Sequence, residues 1–425
     1  MNTPTKRAHP AMPPTRNVSA KTLTVVDSDT ALLARLGYKQ ELKRVFTATE
    51  VFGLAFSFIC PYPAIVSVLE FALLNGGPLA LVWGVSDCLF IPSSGFTPLD
   101  TVDHSNTIAY ISGISATDWA CAVEILAGAS IGSGMAFMPT LRQTFGVFAV
   151  PLQSLLACKT SAWSLISLYG WPNGWAFVMS FLAPLWMIAG FDASVHMSEE
   201  ASNAATVVPW AIIISSALAG VFGWGINVAL AFCMGTDIEG IVNNPIGQPV
   251  ATVFFNSFGQ RGALVFLSFA ITTQFLIGAN ILIIASRLMF AFSRDSALPF
   301  SSVLYRLHPR TRTPVNSVWA CAGGALLLGL LALGGPGASS AIFSLSLACL
   351  YMSWSIPVAS WFLRGKEWVP GPFSLGWWGK PVAAMAVAWM LFAIVVFTFP
   401  TTPNPTGASM NYMTVVFGSW IALCL

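Results

Sequence analysis

The chain of 425 residues is 56% hydrophobic and only 8% charged, with a mean hydropathy of +0.73. A soluble domain carries roughly 25% charged residues, so this chain cannot cover a water-facing surface and is an integral membrane protein. The net charge of +2, from 19 basic and 17 acidic side chains, gives no reason to expect nucleic acid as a partner.

Residues 1–44 stand apart from the rest. They open on a Pro, Thr and Lys mixture, lack the apolar core of a secretory signal, and end in the charged segment Leu36-Gly37-Tyr38-Lys39-Gln40-Glu41-Leu42-Lys43-Arg44. They read as a mostly disordered tail followed by a short surface helix. Lys6, Arg7, Arg16, Lys21, Arg35, Lys39, Lys43 and Arg44 all precede the first apolar run, which by the positive-inside rule places the N-terminus in the cytoplasm.

Residues 45–425 read as the membrane domain. Uncharged apolar runs recur there at the length of about 20 helical residues that a hydrocarbon layer requires. In chain order the clear ones are Val51 to Leu69, Trp171 to Phe191, Val207 to Met234, Gly262 to Ser286 and Pro381 to Pro400. The uncharged stretch between Thr313 and Leu363 is divided by Gly334-Gly335-Pro336-Gly337 into two helices. Asn106 to Phe137 is long enough for another, although Asp118 and Glu124 fall within it. Gly76 to Phe90, Thr144 to Tyr169 and Met413 to Leu425 are weaker spans. Barrel strands would show short alternating segments instead, so an all-α polytopic membrane protein is expected.

Basic residues test the orientation. Arg287, Arg294, Arg306, Arg310 and Arg312 form one cluster, and Arg364, Lys366 and Lys380 another; both read as cytoplasmic. With the tail also inside, an even number of helices must precede Arg287, yet seven of the spans above lie before it. The suspects are the atypical stretches 85–105 and 158–171.

Ionisable groups in hydrocarbon cost a few kcal/mol (about 3 on lenient scales) and usually face a cavity or a partner. The set here is Glu50, Glu70, Asp118, Glu124 and Asp192, with Glu199 and Glu200 just beyond a run. Around Asp192 a clean apolar run becomes a polar helical continuation without a turn signal, and Gly190 allows the backbone to unwind. Either this segment unwinds at membrane depth and lines a cavity, or the helix ends there and Asp192 caps the next. Ser57-Phe58-Ile59-Cys60-Pro61-Tyr62-Pro63 interrupts the first run, because two prolines two residues apart break or kink a helix. Amides freed there suit an anion such as a carboxylate at the positive end of a half-helix; a structural kink is the other reading.

Enzyme signatures are weak. Gly128-Ala129-Ser130-Ile131-Gly132 spells a nucleophile elbow, but that motif needs a strand before the serine, and these flanks are helical and apolar. Small residues four apart read as helix packing. The eight cysteines lie mostly alone in apolar stretches and read as small buried hydrophobes. His9, His104, His196 and His308 have no metal-binding spacing, so neither metal nor cofactor is expected, and no enzymatic activity.

Several segments together resemble a fungal member of the amino acid-polyamine-organocation superfamily, in its branch of amino acid, 4-aminobutyrate and choline permeases. They are Leu36 to Arg44, Gly190-Phe191-Asp192 with Ser198-Glu199-Glu200-Ala201-Ser202-Asn203, and Ser286-Arg287 with Phe292-Ser293-Arg294-Asp295-Ser296-Ala297-Leu298-Pro299. The resemblance implies twelve helices, the first ten in two inverted five-helix repeats, with the first helix of each repeat discontinuous. Ser57 to Pro63 and Ala189 to Ser194 would be the two breaks. It also implies a substrate site on Ser57, Ile59, Cys60, Ala189, Gly190, Phe191 and Asp192, with Phe191 as an aromatic gate and Asp192 beside the cationic end of the substrate. Glu199 and Glu200 would anchor the loop that follows.

Departures from the family pattern are Cys60-Pro61 where many relatives carry glycine, an unusual second-to-third helix region at Ser86 to His104, an absent fifth helix between Cys158 and Gly170, and a short last helix. The expected function is secondary transport of an amino acid, 4-aminobutyrate, choline or a polyamine by alternating access, in the plasma membrane or a vacuolar or other organelle membrane. Protons are the expected coupling ion, with Asp192 and Glu124 as the candidate coupling groups. The alternative is a truncated paralogue that does not transport, or a regulatory membrane protein.

Overall fold

The computed structural model describes residues 33–34, 40–42, 44, 46–79, 81–82, 103–133, 168, 170–235, 237–331, 336–364, 375–400, 402–406 and 410–424. Most of the expected tail lies outside these residues, as do most of the stretches 85–105 and 158–171 and the larger part of the spans expected over Gly76 to Phe90 and Thr144 to Tyr169. The described residues contain helices and no strand, with one isolated parallel bridge between Phe46 and Ala201. Six helical segments are long and apolar enough to cross a membrane. In hydrocarbon a helix satisfies its own backbone, which is why long uncharged runs adopt no other form.

The first span is split into α1 (Ala48–Ile59) and α2 (Pro61–Asn75). Glu50, expected within the membrane, is instead an exposed capping residue: its carboxylate accepts the Thr47 N–H at 2.7 Å at the start of α1. The long α3 (Asp103–Ser133) follows, helical through Gly128, Ser130 and Gly132, so no strand–turn–helix elbow forms around Ser130. The next span consists of α4 (Asn173–Met179), α5 (Leu182–Ile188) and α6 (Ala193–His196), then a 3-10 turn at Ser198–Glu200. The rest of the described chain comprises α7 (Ala204–Cys233), α8 (Ile238–Val242), α9 (Pro249–Arg294), α10 (Ser301–Leu304), α11 (Val315–Leu331), α12 (Pro336–Arg364), α13 (Gly379–Phe397) and α14 (Met413–Cys424). Within α9, Gly259 leaves helical geometry at φ 69°, ψ −176°, so a short arm precedes the kink and the membrane-crossing length follows it.

The centre of the bundle is α3, packed against α9, α12 and α11. Its approach is close because the residues it buries there are small: Ser115 Oγ donates to Ala325 O of α11 at 2.6 Å, and Ser346 Oγ of α12 donates to Ala109 O at 2.9 Å. Lipid-side faces are recognisable by exposed large apolar side chains, as at Trp210, Val221 and Phe222 on α7.

At one end of the bundle the chain preceding α1 is tied to three other elements. Phe46 N–H donates to Glu200 O at 3.1 Å and Ser202 N–H donates to Phe46 O at 3.2 Å. Glu41 N–H donates to Glu199 Oε1, whose second oxygen pairs with Arg294 at 3.3 Å, while Glu200 pairs with Arg287 at 3.0 Å. The Tyr305 hydroxyl donates to Glu41. The tail and the Arg294 loop therefore share one face of the bundle, which requires an even number of crossings between them.

The hydrogen bond to Glu41 pushes the Tyr305 phenol up to about 12. Since its folded value is the raised one, this contribution is present below the ordinary tyrosine value of about 10 and is lost as pH rises through about 12. Tyr305→Phe removes only the hydroxyl and is expected to destabilise the latch by about 1 kcal/mol, read as a small fall in melting temperature at neutral pH that vanishes above the tyrosine range.

Candidate functional site

The first break is confined to one residue. Cys60 sits at φ 20°, ψ 84°, and the helix resumes at Pro61. It offers fewer free donors than the interruption suggested: Cys60 N–H is taken by Phe56 O at 3.0 Å, and Pro61 and Pro63 have no N–H at all. In the first turn of α2 only Tyr62 and Ala64 carry amide protons.

The second break spans Ala189, extended at φ −60°, ψ 151°, and Gly190 at φ 90°. Gly190 is required twice over. The left-handed φ disfavours any side chain, and a Cβ placed there would overlap the ring of Phe58 from the last turn of α1. The two breaks are thus in direct contact through Phe58.

Beside this contact lies a cavity of about 50 Å³, reached by Ile59 and Ala64 from the first break and by Trp186 and Ala189 from the second. Tyr110 and Thr117 of α3, Gln274 of α9 and Ser346 of α12 complete its walls. A volume of this size holds a few waters. Phe58, Tyr110 and Trp186 give it aromatic walls, which attract a cation through their ring faces; Gln274 and Thr117 supply polar groups.

The expected site residues are distributed unevenly around this cavity. Ile59 and Ala189 line it, Gly190 adjoins it through Phe58, and Cys60 is half-buried at the break. Ser57 does not reach it; it is exposed and its hydroxyl accepts a 2.9 Å bond from Asn280 of α9. Phe191 points elsewhere, packed against Trp354 at 4.3 Å between ring centroids with the two rings tilted by 40°.

Of the expected intramembrane acids, Glu70 and Asp118 are exposed, whereas Glu124 and Asp192 are both 0% exposed. Asp192 Oδ2 lies 3.1 Å from His196 Nε2, one turn on, and the His196 ring meets Tyr110 edge-on at 5.4 Å, which connects this carboxylate to the cavity wall. Neither oxygen of Glu124 has a hydrogen-bond partner among the described residues. Glu124 follows Tyr110, Gly113 and Thr117 on the same stripe of α3, two turns or about 10 Å beyond Thr117. Near that end of α3 the Gln260 amide donates to Ile131 O at 2.8 Å. The two buried carboxylates therefore bracket the cavity along α3, Asp192 toward the Glu200 end and Glu124 toward the opposite one.

Tyr110, Gln274 and Ser346 were not expected from sequence. Gln274 carried a signal, since it is an amide within the apolar run Gly262 to Ser286. Tyr110 and Ser346 carried none, because aromatic and small polar residues are ordinary in packed membrane helices.

The model of a family described as amino acid permease matches residues 102–420. An uncharacterized amino-acid permease of Schizosaccharomyces pombe is 33% identical over 474 residues, covering 94% of this chain and 87% of that protein. The GABA-specific permease of Saccharomyces cerevisiae is 32% identical over 473 residues, covering 93% of this chain and 83% of its own length. A putative polyamine transporter of Candida albicans is 25% identical over 491 residues, covering 96% and 88%. Each alignment is longer than the 425 residues of the chain, so these relatives carry internal stretches with no counterpart here.

Proposed function

We propose that this chain, which belongs to the amino acid permease family, is a secondary transporter that carries a small amino compound by alternating access. The observation that carries the reading is the meeting of the two helix breaks at one small cavity with aromatic walls. The relatives' names, a GABA-specific permease and a putative polyamine transporter, put the substrate among amines and amino acids.

In this reading the backbone around Ile59, Cys60 and Ala64 receives the carboxylate end of a substrate, and Ala189 and Gly190 the opposite side. The ammonium lies against Phe58, Tyr110 and Trp186, with Asp192 as counter-charge through the Tyr110 and His196 edge. Phe191 closes over the site by leaving Trp354, and Ser57 acts on the approach path. A cavity of about 50 Å³ is smaller than such a substrate, so the arrangement corresponds to a contracted state that opens for loading. The latched face is cytoplasmic, by the basic residues it gathers. Protons are the coupling ion, and Glu124 and Asp192, buried on either side of the cavity, are the groups that take and release them.

The test is uptake by the purified full chain in sealed vesicles, with radiolabelled 4-aminobutyrate, putrescine, choline and neutral amino acids, with and without an inward proton gradient. At least one compound is expected to accumulate, faster with the gradient. Glu124→Gln is expected to flatten the pH dependence, and Asp192→Asn to weaken both pH dependence and cationic-substrate uptake. An Asp192→Asn variant with wild-type pH dependence would remove that residue from coupling. The alignments longer than the chain favour a second reading, a shortened paralogue without transport. No accumulation of any of these compounds by a well-folded preparation would favour it over transport.

A further inference from the structure

We propose that the loop between α9 and α11 binds the phosphate-bearing headgroup of an anionic phospholipid in the cytoplasmic leaflet, in a cleft whose far wall is the latched N-terminal segment. The side of the membrane rests on the orientation proposed above; the site does not. The cleft, about 600 Å³, is open and bounded by Gln40 and Glu41 on one side and by Tyr305, Arg306, His308 and Arg312 on the other.

Charge in the cleft is unbalanced. Arg306 and Arg312 in its wall, and Arg310 in the same loop, are exposed, and among the described residues no carboxylate lies within ion-pair distance of them. Arg306 spends one N–H on Ser302 O at 3.2 Å. Glu41, the acid at the rim, is directed to the Tyr305 hydroxyl, and its single charge leaves the two arginines of the cleft in excess. The loop is also fixed in shape: Arg312, at φ 54°, donates its N–H to His308 O at 2.9 Å, and His308 N–H donates to Thr313 O at 3.0 Å. Arg306 and Arg312 line the same cleft, and the guanidinium fork matches phosphate oxygens in shape as well as in charge.

Apolar exposure beside the cations favours a lipid over a soluble anion. Phe300 is 81% exposed and Trp319, on the first turns of α11, 74%. Val303 and Val315 are also exposed, and α10 is pinned to the start of α11 by Asn316 and Ser317, whose side chains donate to Val303 O at 2.8 Å and Leu304 O at 3.0 Å. Exposed aromatics at the end of a membrane helix next to arginines fit the interface, where rings sit among headgroups and cations meet the negative inner leaflet.

The test is native mass spectrometry of the full chain in detergent, titrated with phosphatidylserine or phosphatidylcholine, with inorganic phosphate as competitor. Phosphatidylserine is expected to be retained several-fold more than phosphatidylcholine. Arg306→Gln with Arg312→Asn, the latter tolerant of the left-handed φ, is expected to remove that preference. Phe300→Ser is expected to weaken retention without affecting melting temperature, and Arg261→Gln, exposed at the other end of α9, to leave it unchanged. Equal retention of the two lipids, or an undiminished preference in the double variant, overturns the proposal. Phosphate binding with no lipid preference overturns it in favour of a soluble anion site. Thiol labelling of Ser302→Cys in sealed vesicles reports the side of the membrane independently, so an error of orientation is distinguishable from an error about the cleft.

Discussion

Gly190→Ala is expected to abolish uptake and to lower the melting temperature of the purified protein. Two costs add at this position. A Cβ at φ 90° costs about 1–2 kcal/mol, and its overlap with the Phe58 ring adds about 1–3 kcal/mol of overpacking. The ring has little room to retreat: it is 9% exposed and meets Tyr110 edge-on at 6.0 Å. Gly190→Ala combined with Phe58→Ala relieves the overlap and leaves the backbone cost, so it is expected to regain part of the melting temperature. Uptake stays low in the pair because Phe58 is itself a cavity wall. Wild-type uptake by Gly190→Ala would show that contact between the two breaks is not the working element.

Arg287→Ala is expected to be the most damaging change on the latched face. Glu200 is 8% exposed, and its carboxylate is matched by the Arg287 guanidinium at 3.0 Å. Removing the cation strands a nearly buried charge, at a cost of about 3 kcal/mol. Glu200→Gln keeps an acceptor for Arg287 and removes the charge, so its cost falls to about 1 kcal/mol. The expected order of melting temperatures is wild type, Glu200→Gln, then Arg287→Ala, with the pair of substitutions between the two singles. Phe46 is docked on the backbone of Glu200, so Arg287→Ala should also quicken proteolysis of the N-terminal segment. Equal melting of the two single variants would mean that the charge is not what matters.

The breaks were legible because their causes are properties of single residues. Pro61 and Pro63 lack an N–H, Gly190 lacks a Cβ, and both facts are local to the backbone. What the breaks hold was not legible. The donors expected at the first break are reduced by the Cys60 to Phe56 bond, and the cavity draws Tyr110, Gln274 and Ser346 from helices distant in sequence. The acids divide for the same reason. Glu50 is a cap and Asp118 is exposed, while Glu124 and Asp192 are buried by neighbours that no run length reveals. The odd number of spans before Arg287 conflicts with the shared face of the tail and the Arg294 loop, and relatives with extra internal stretches fit that conflict.

Beyond Gly259 the remainder of α9, to Arg294, is about 50 Å long, well over the roughly 30 Å of a hydrocarbon layer. Such a rod magnifies angle into distance: about 10° of swing at the glycine displaces the far tip by about 9 Å. Arg287 and Arg294 ride near that tip, so a slight leaning of one helix is enough to carry both arginines away from Glu199 and Glu200.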